Sequence, residues 1–314
     1  MDVRQRKTPN KVSVAYGEPD SLIKKPANGL SIFSNLTSRR NAIYILPVVL
    51  FVYVFGPFLP HAPKAIYVYV SSGFAFDMFV GPGIRSLVDD MVVDDQRIFN
   101  TDFSTDLPAK REIFLKEFLH YSDTHPLPII SALDPEEEGH LDPAGVWKTL
   151  FVRSGGHDTC AAKYFPETIK AVEQTQFKIL SIMFSRLAPG QVIPPHTGYT
   201  KLIQLYHLGL RVPQKEPKPF MDAWACDGCP KETIVWEEGK EFVFDDYFVH
   251  AATNPNEEER IILFLHLQRI DLKGWRQELL SGIFHWIFAH IPFAPALSLV
   301  EGTEKSCNTL LMGK

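Results

Sequence analysis

The sequence predicts a mainly β domain with flanking helices, wound as a sandwich or jelly roll and preceded by a membrane-associated helical segment. Three observations carry this expectation. Between residues 177 and 270, short apolar runs are broken repeatedly by Gly, Pro and Asp. Upstream, two stretches place apolar residues at helical spacing, and residues 41–60 carry no charge at all.

The N-terminal part comes first in the chain. Residues 1–40 are polar and basic, with Arg4, Arg6, Lys7, Lys11, Lys24, Lys25, Arg39 and Arg40 against three acids. The next stretch, NAIYILPVVLFVYVFGPFLP, makes a helix of about 27 Å over Ala42–Leu59, close to the thickness of a bilayer's hydrocarbon core. Tyr44 and Tyr53 suit its interfaces, and Pro47 is tolerated better in lipid than in water. A cleaved signal peptide is not expected, because the run starts forty residues in and is too long. Residues 64–83 are again apolar but broken by Ser71-Ser72-Gly73 and Asp77, so the embedded segment, 41–85, has one or two helices. The basic tail favours a cytoplasmic N-terminus. The N-glycosylation sequon Asn35-Leu36-Thr37 lies in that tail, which favours the cytoplasmic side for the main domain as well. The expected protein is integral to, or tightly bound at, a membrane.

A domain over 86–272 follows. PAKREIFLKEFLHYSD predicts a helix over 108–121 through Ile113, Phe114, Phe118 and Leu119, and Pro166-Glu167-Thr168 opens a second over 166–174. The segments FKILSIMFSRL, TKLIQLYHLGLRV, PFMDAWAC, ETIVWEEGKEFVFDDYFVHAAT and ERIILFLHLQRI then read as antiparallel strands. Residues 273–314 offer an amphipathic helix rich in Trp, Phe and Ile, followed by a tail. It docks on the domain or lies on the membrane.

Composition narrows the function. Among 314 residues, 32 basic side chains are outweighed by 37 acidic ones, a net charge of −5, which argues against a nucleic-acid partner. Cys226 and Cys229 form a lone CxxC, which lacks the second ligand pair of a structural zinc site and fits a loop pair or local disulfide better.

Chemistry concentrates where polar side chains interrupt the apolar runs: Ser185, His196, His207, His250 and Arg260. A guanidinium entering a strand that reads as buried on both faces needs an anion. Imidazoles from two strand ends could hold one divalent metal with positions left open, an arrangement that suits Fe(II) better than a closed zinc site. Arg260 could clamp a carboxylate, with the Ser185 hydroxyl adding a hydrogen bond. Taken singly, each histidine reads as a half-buried packing group. Trp236 and Gly239 read as a hairpin, Asp245-Asp246 as a turn aiming His250, and His266 as a core or supporting residue.

The motifs FSRLAPGQVIPPHTG, YHLGLRVP, WEEGKEFVFDDYFVHAATN and ERIILFLHLQR, in this order, take the reading further. Over roughly residues 145–272 the chain resembles the aspartyl/asparaginyl β-hydroxylase family of Fe(II)- and 2-oxoglutarate-dependent oxygenases. The resemblance implies a double-stranded β-helix, a cupin-like jelly roll. It implies that His196 and His250 are the iron ligands and that Gly198 stands where many related oxygenases place a carboxylate ligand. It also implies that Ser185 and Arg260 bind the distal carboxylate of 2-oxoglutarate, and that His207 contacts the carboxylate beside the metal. One position departs from the family: Leu205 replaces an arginine that pairs with the metal-side carboxylate, removing a contact of about 1.5–3 kcal/mol. Arg211, on the same face by alternation, and Lys201 are loose substitutes.

The implied reaction couples decarboxylation of 2-oxoglutarate by O2, giving succinate and CO2, to hydroxylation of a substrate C–H. Apolar material at both ends, residues 41–84 and 283–299, favours a membrane-lipid acyl chain as substrate. The His-Thr-Gly form is closer to the peptidyl Asp/Asn β-hydroxylases, which makes a peptide the alternative. A third reading is a membrane-anchored scaffold or sensor that keeps the fold without turnover.

Overall fold

The computed structural model describes residues 98–129, 142, 145, 147–198, 201–226, 228–269 and, within the C-terminal segment, 275, 278, 279 and 282. The expected basic tail and embedded segment, and nearly all of the C-terminal helix and tail, lie outside the described residues. Among the described residues no helix is long and apolar enough to cross a membrane.

The described chain runs β1 (Phe99–Asn100), a 3-10 turn (Leu107–Lys110), α1 (Arg111–Thr124), β2 (Trp147–Ser154), β3 (His157–Asp158) and α2 (Pro166–Glu173). It continues with β4 (Ile179–Leu187), β5 (Gln191–His196), β6 (Ile203–Arg211), β7 (Phe220–Trp224) and β8 (Lys231–Val235). It closes with β9 (Glu241–Phe244), β10 (Val249–Asn254) and β11 (Arg260–Gln268). A seven-stranded sheet has the order β1-β9-β6-β11-β4-β2-β3, and a four-stranded sheet the order β5-β10-β7-β8. From β4 onward the chain passes back and forth between the two sheets, the winding of a jelly roll, as expected.

Side-chain parity explains why two sheets and two helices suffice. Along β11, Ile261, Leu263, Leu265 and Leu267 face one way and join Phe114, Phe118 and Tyr121 of α1 and Val172 of α2 in one apolar cluster. The alternate residue Ile262 faces the other way, with Leu205, Phe242 and Phe244 against Ile193, Met221 and Ala252 of the smaller sheet. Each such buried side chain stabilises the fold by about 1.5–3 kcal/mol. The helices therefore back the large sheet, and its other face closes over the interior of the roll. β11 lies between β6 and β4 and has apolar neighbours on both faces, so its sequence reads as an unbroken apolar run.

The helices sit close to their expected places. Pro108 opens the turn ahead of α1, where a missing N–H costs nothing. α2 starts at Pro166 without a side-chain cap of its own. Glu117 of α1 supplies one: its carboxylate accepts the N–H groups of Glu167 (2.9 Å) and Thr168 (3.0 Å) and the Thr168 hydroxyl (2.6 Å). β2 was not among the expected strands.

Two contacts pin the ends of the roll. Asn254 donates to the carbonyls of Leu187, Ala188 and Glu258 at 2.9–3.2 Å, fixing the turn from which Arg260 enters β11. At the other end, Arg269 donates to Asp245 at 2.7 Å, and both side chains are buried. Removing one partner of a buried ion pair leaves the other uncompensated. Asp245→Asn is therefore expected to lower the unfolding free energy by about 3–5 kcal/mol, read from the midpoint of urea unfolding at neutral pH.

Candidate active site

Two histidines end up side by side inside the roll. β5 is the edge strand of the small sheet, where Pro194 and Pro195 break no ladder. It pairs with β10 so that His196 and His250 lie directly opposite each other, with an irregularity between His250 and Ala252. Their ring centroids are 4.1 Å apart. Each ring makes the same local bond: Nδ1 of His196 lies 2.9 Å from the Pro194 carbonyl, and Nδ1 of His250 lies 2.9 Å from that of Phe248. A carbonyl only accepts, so both Nδ1 atoms carry protons, and in a neutral ring of this tautomer the lone pair falls on Nε2. That is the tautomer a metal ion requires. Burial, and then the neighbouring His196, holds His250 well below the ordinary histidine pKa.

Gly198 follows two residues after His196, and its surroundings decide how many ligands the protein can offer. A Cβ built on Gly198 would lie 2.0 Å from Oδ2 of Asp246, and the Gly198 N–H donates to the Asp246 carbonyl at 2.6 Å. The space a third carboxylate ligand would need at 198 is filled by Asp246. Among the described residues, no group of three or more His, Cys, Asp or Glu side chains is placed to hold a metal. Two imidazoles whose Nδ1 atoms are tied to backbone carbonyls fit a metal held by two protein ligands and leave its remaining positions to other molecules.

The anion pocket lies on the interior face of the large sheet. Arg260 is 2% exposed, and among the described residues no carboxylate pairs with it. Its guanidinium carbon stands 4.3 Å over the Trp236 ring. Its Nη2 donates to Ser185 Oγ at 3.2 Å, and its Nε has no partner. Burial alone pulls its pKa down to about 9, so at neutral pH it remains a cation without a counter-ion. Ser185 Oγ also accepts from Trp147 Nε1 at 3.0 Å, so its own hydroxyl proton is left to donate. Thr149, directly opposite Ser185 on β2, is buried with its hydroxyl unbonded. Among the described residues these donors converge without an anionic acceptor, which is what a bound carboxylate needs.

His207 stands between the two groups. Trp236 Nε1 donates to its Nδ1 at 3.3 Å, which places the proton of the neutral ring on Nε2 as a donor. Burial, followed by Arg260, His250 and His266, pushes its pKa well below the ordinary value. Phe244 touches both His207 (5.0 Å) and His250 (5.2 Å).

The structure thus brings together all five sequence-derived residues: Ser185, His196, His207, His250 and Arg260. Two expectations change. Arg211 does not share the site face, because an irregularity between Ile261 and Ile262 turns it toward Glu259, to which it pairs at 3.5 Å. Trp236 is more than a hairpin residue, since it stacks on Arg260 and bonds His207. The turn it opens packs so tightly on Gly209 that a Cβ there would lie 2.1 Å from the Glu237 carbonyl oxygen. Trp147 and Thr149 were not expected, although their alternation in WKTLFV was a usable strand signal. Lys201 lies over the Tyr247 ring. Cys226 and Cys229 form a disulfide at the tip of the β7–β8 hairpin.

Comparison with known proteins agrees with this geometry. Residues 110–270, half of the chain, match the family model described as aspartyl/asparaginyl beta-hydroxylase. An ornithine lipid ester-linked acyl 2-hydroxylase of Rhizobium tropici is 34% identical over 121 residues, 38% of this chain and 40% of that protein. The aspartyl/asparaginyl beta-hydroxylase of Homo sapiens is 30% identical over 154 residues, 48% of this chain and 19% of that protein. Human aspartate beta-hydroxylase domain-containing protein 2 is 27% identical over 157 residues, covering 45% and 38%. The matches span less than half the length of each of these relatives.

Two outcomes follow. Gly198→Ala drives a methyl into the Asp246 carboxylate and is expected to lower Mn(II) affinity about tenfold or more by calorimetry, with partial recovery in Gly198→Ala/Asp246→Ala. The second concerns acid. His207, His250 and His266 all have folded pKa values below 6.5, the last at about 4. Below pH 6.5 the unfolded chain takes up protons that the folded protein does not, so stability is full above that pH and falls as pH drops. The loss reaches about 1.4 kcal/mol per pH unit per histidine. Urea midpoints of metal-free protein should therefore be lower at pH 5.5 than at pH 7.

Proposed function

We propose, from the premise that the chain belongs to the aspartyl/asparaginyl β-hydroxylase family, that it is an Fe(II)- and 2-oxoglutarate-dependent dioxygenase that hydroxylates an acyl chain of a membrane lipid. The observation that carries the chemistry is the matched histidine pair, with rings 4.1 Å apart and both Nδ1 protons tied to backbone carbonyls.

His196 and His250 would hold the iron, and the Gly198–Asp246 contact keeps the protein from adding a ligand at 198. Iron, 2-oxoglutarate and O2 together supply the oxidising power for C–H hydroxylation, with succinate and CO2 as co-products. The chain's own residues bind and orient. Arg260, with Ser185 and Thr149, anchors the distal carboxylate of 2-oxoglutarate, and Trp147 and Trp236 hold that pocket in shape. The Nε2–H of His207 serves the carboxylate at the metal side. Burial of Ser185, His207, His250 and Arg260 excludes water, which strengthens these contacts.

The lipid reading draws on three things. The site's apolar lining of Phe242, Phe244 and Phe264 suits an alkyl segment. Residues 41–84 and 283–299 are apolar, consistent with an anchored architecture of tail 1–40, embedded segment 41–85, oxygenase domain 86–272 and C-terminal helix and tail 273–314. The Rhizobium tropici relative is itself described as a lipid acyl hydroxylase. On this arrangement the protein is membrane-bound, with the catalytic domain on the cytoplasmic face. A peptidyl β-hydroxylase is the second reading, supported by the human relative.

Succinate release should require both Fe(II) and 2-oxoglutarate and should fall to background in His196→Ala and His250→Ala. Release that persists in both variants would remove the assignment. Mass spectrometry of lipids and of peptides from cells with and without the gene then separates the substrates, with a gain of 16 mass units on acyl chains expected.

A further inference from the structure

His266 is a half-buried titratable group that the proposed chemistry does not use. It lies on the interior face of β11, in step with Arg260, Ile262 and Phe264 and opposite to the leucines that face the helices. Its cross-strand neighbours are Leu205 on β6 and Ser181 on β4. Leu205 also pairs with Phe244, whose ring touches His250. The His266 ring packs edge-on against Phe264 at 5.4 Å, and Phe264 packs against His207 at 4.8 Å. Through Phe264 and Phe244, His266, His207 and His250 line one chamber.

Within that chamber the Nδ1 of His266 is sealed from solvent and has no hydrogen-bond partner. A buried polar atom left unbonded is costly, and such atoms are few in native proteins. Neither cross-strand neighbour satisfies it. Leu205 has no polar atom, and the Ser181 hydroxyl, which accepts from the Gly155 N–H at 3.4 Å, makes no bond to the His266 Nδ1. The order along the roll is Arg260 at one end, then His207, then His266 beyond Phe264 on the side of Leu205. A dicarboxylate whose distal end sits on Arg260 runs toward the histidine pair, and its second carboxylate has several lone pairs but a single donor so far assigned, His207.

We propose that His266 is a further cosubstrate-binding residue, its imidazole donating a hydrogen bond to the metal-side carboxylate of the 2-oxo acid across from Leu205. The inference rests on the functional reading above and deepens it. In this chain, the contact that Leu205 cannot make is supplied from the adjacent strand.

The test uses full-length protein in detergent with Fe(II) under anaerobic conditions, following the visible charge-transfer band as ligand is added. Two ligands divide the site: 2-oxoglutarate carries both carboxylates, and pyruvate carries the 2-oxo acid end alone. His266→Leu should weaken both by the same factor, about tenfold, and shift the band. His266→Gln, which keeps an N–H donor, should bind within about threefold of the wild type. Arg260→Gln should weaken 2-oxoglutarate and leave pyruvate unchanged. The inference is overturned if His266→Leu binds 2-oxoglutarate like the wild type, or weakens it while sparing pyruvate. If the leucine variant does not fold, a glutamine variant that weakens 2-oxoglutarate and pyruvate unequally overturns it too. A wild-type protein that gives no band at all refutes the functional reading itself, which separates the two failures.

Discussion

A cation enclosed without a counter-charge is the constraint on which the interior depends. Arg260 sits in the middle strand of the large sheet, shut off from water, with a serine hydroxyl and an indole face as its company. Neither neutralises it, and desolvating a guanidinium is costly. The surrounding architecture makes sense as the device that holds it there. Gly209 lets the Trp236 turn come down on the sheet, Trp236 then covers the guanidinium, and Asn254 fixes the turn from which the strand starts. A protein that tolerates such a group is prepared for an anion from outside.

The half of the interior around His196 and His250 follows a different logic, in which backbone geometry sets proton positions. The two carbonyls that lie two residues before each histidine choose the tautomer, and the strand pairing brings the rings together. Burial does the rest at His250, holding its pKa well below the ordinary value, so that protons compete poorly with a metal ion there.

Much of this was legible in the chain because the signals were local. Helix spacing around Phe114 and Phe118 and the apolar runs of β4, β6 and β11 pointed to the architecture, and polar residues breaking those runs pointed to the candidate site. What escaped detection depended on register. Arg211 sits on the right parity by simple alternation, yet one irregularity between Ile261 and Ile262 sends it to Glu259. Trp147 and Thr149 matter because β2 aligns them with Leu187 and Ser185, and that alignment is a property of the folded sheet alone. Trp236 looked like a turn residue because its partners, Arg260 and His207, are far away in sequence.

The crowding of Gly198 by Asp246 carries a consequence for how such a protein would live with its metal. A centre anchored by a pair of side chains grips iron loosely, and the chelating 2-oxo acid completes the grip. Metal and cosubstrate then stabilise each other's residence, each one's apparent affinity rising with the concentration of the other. Occupancy of the centre would thus track the cell's iron supply and its carbon metabolism jointly, and a shortage of either would empty it.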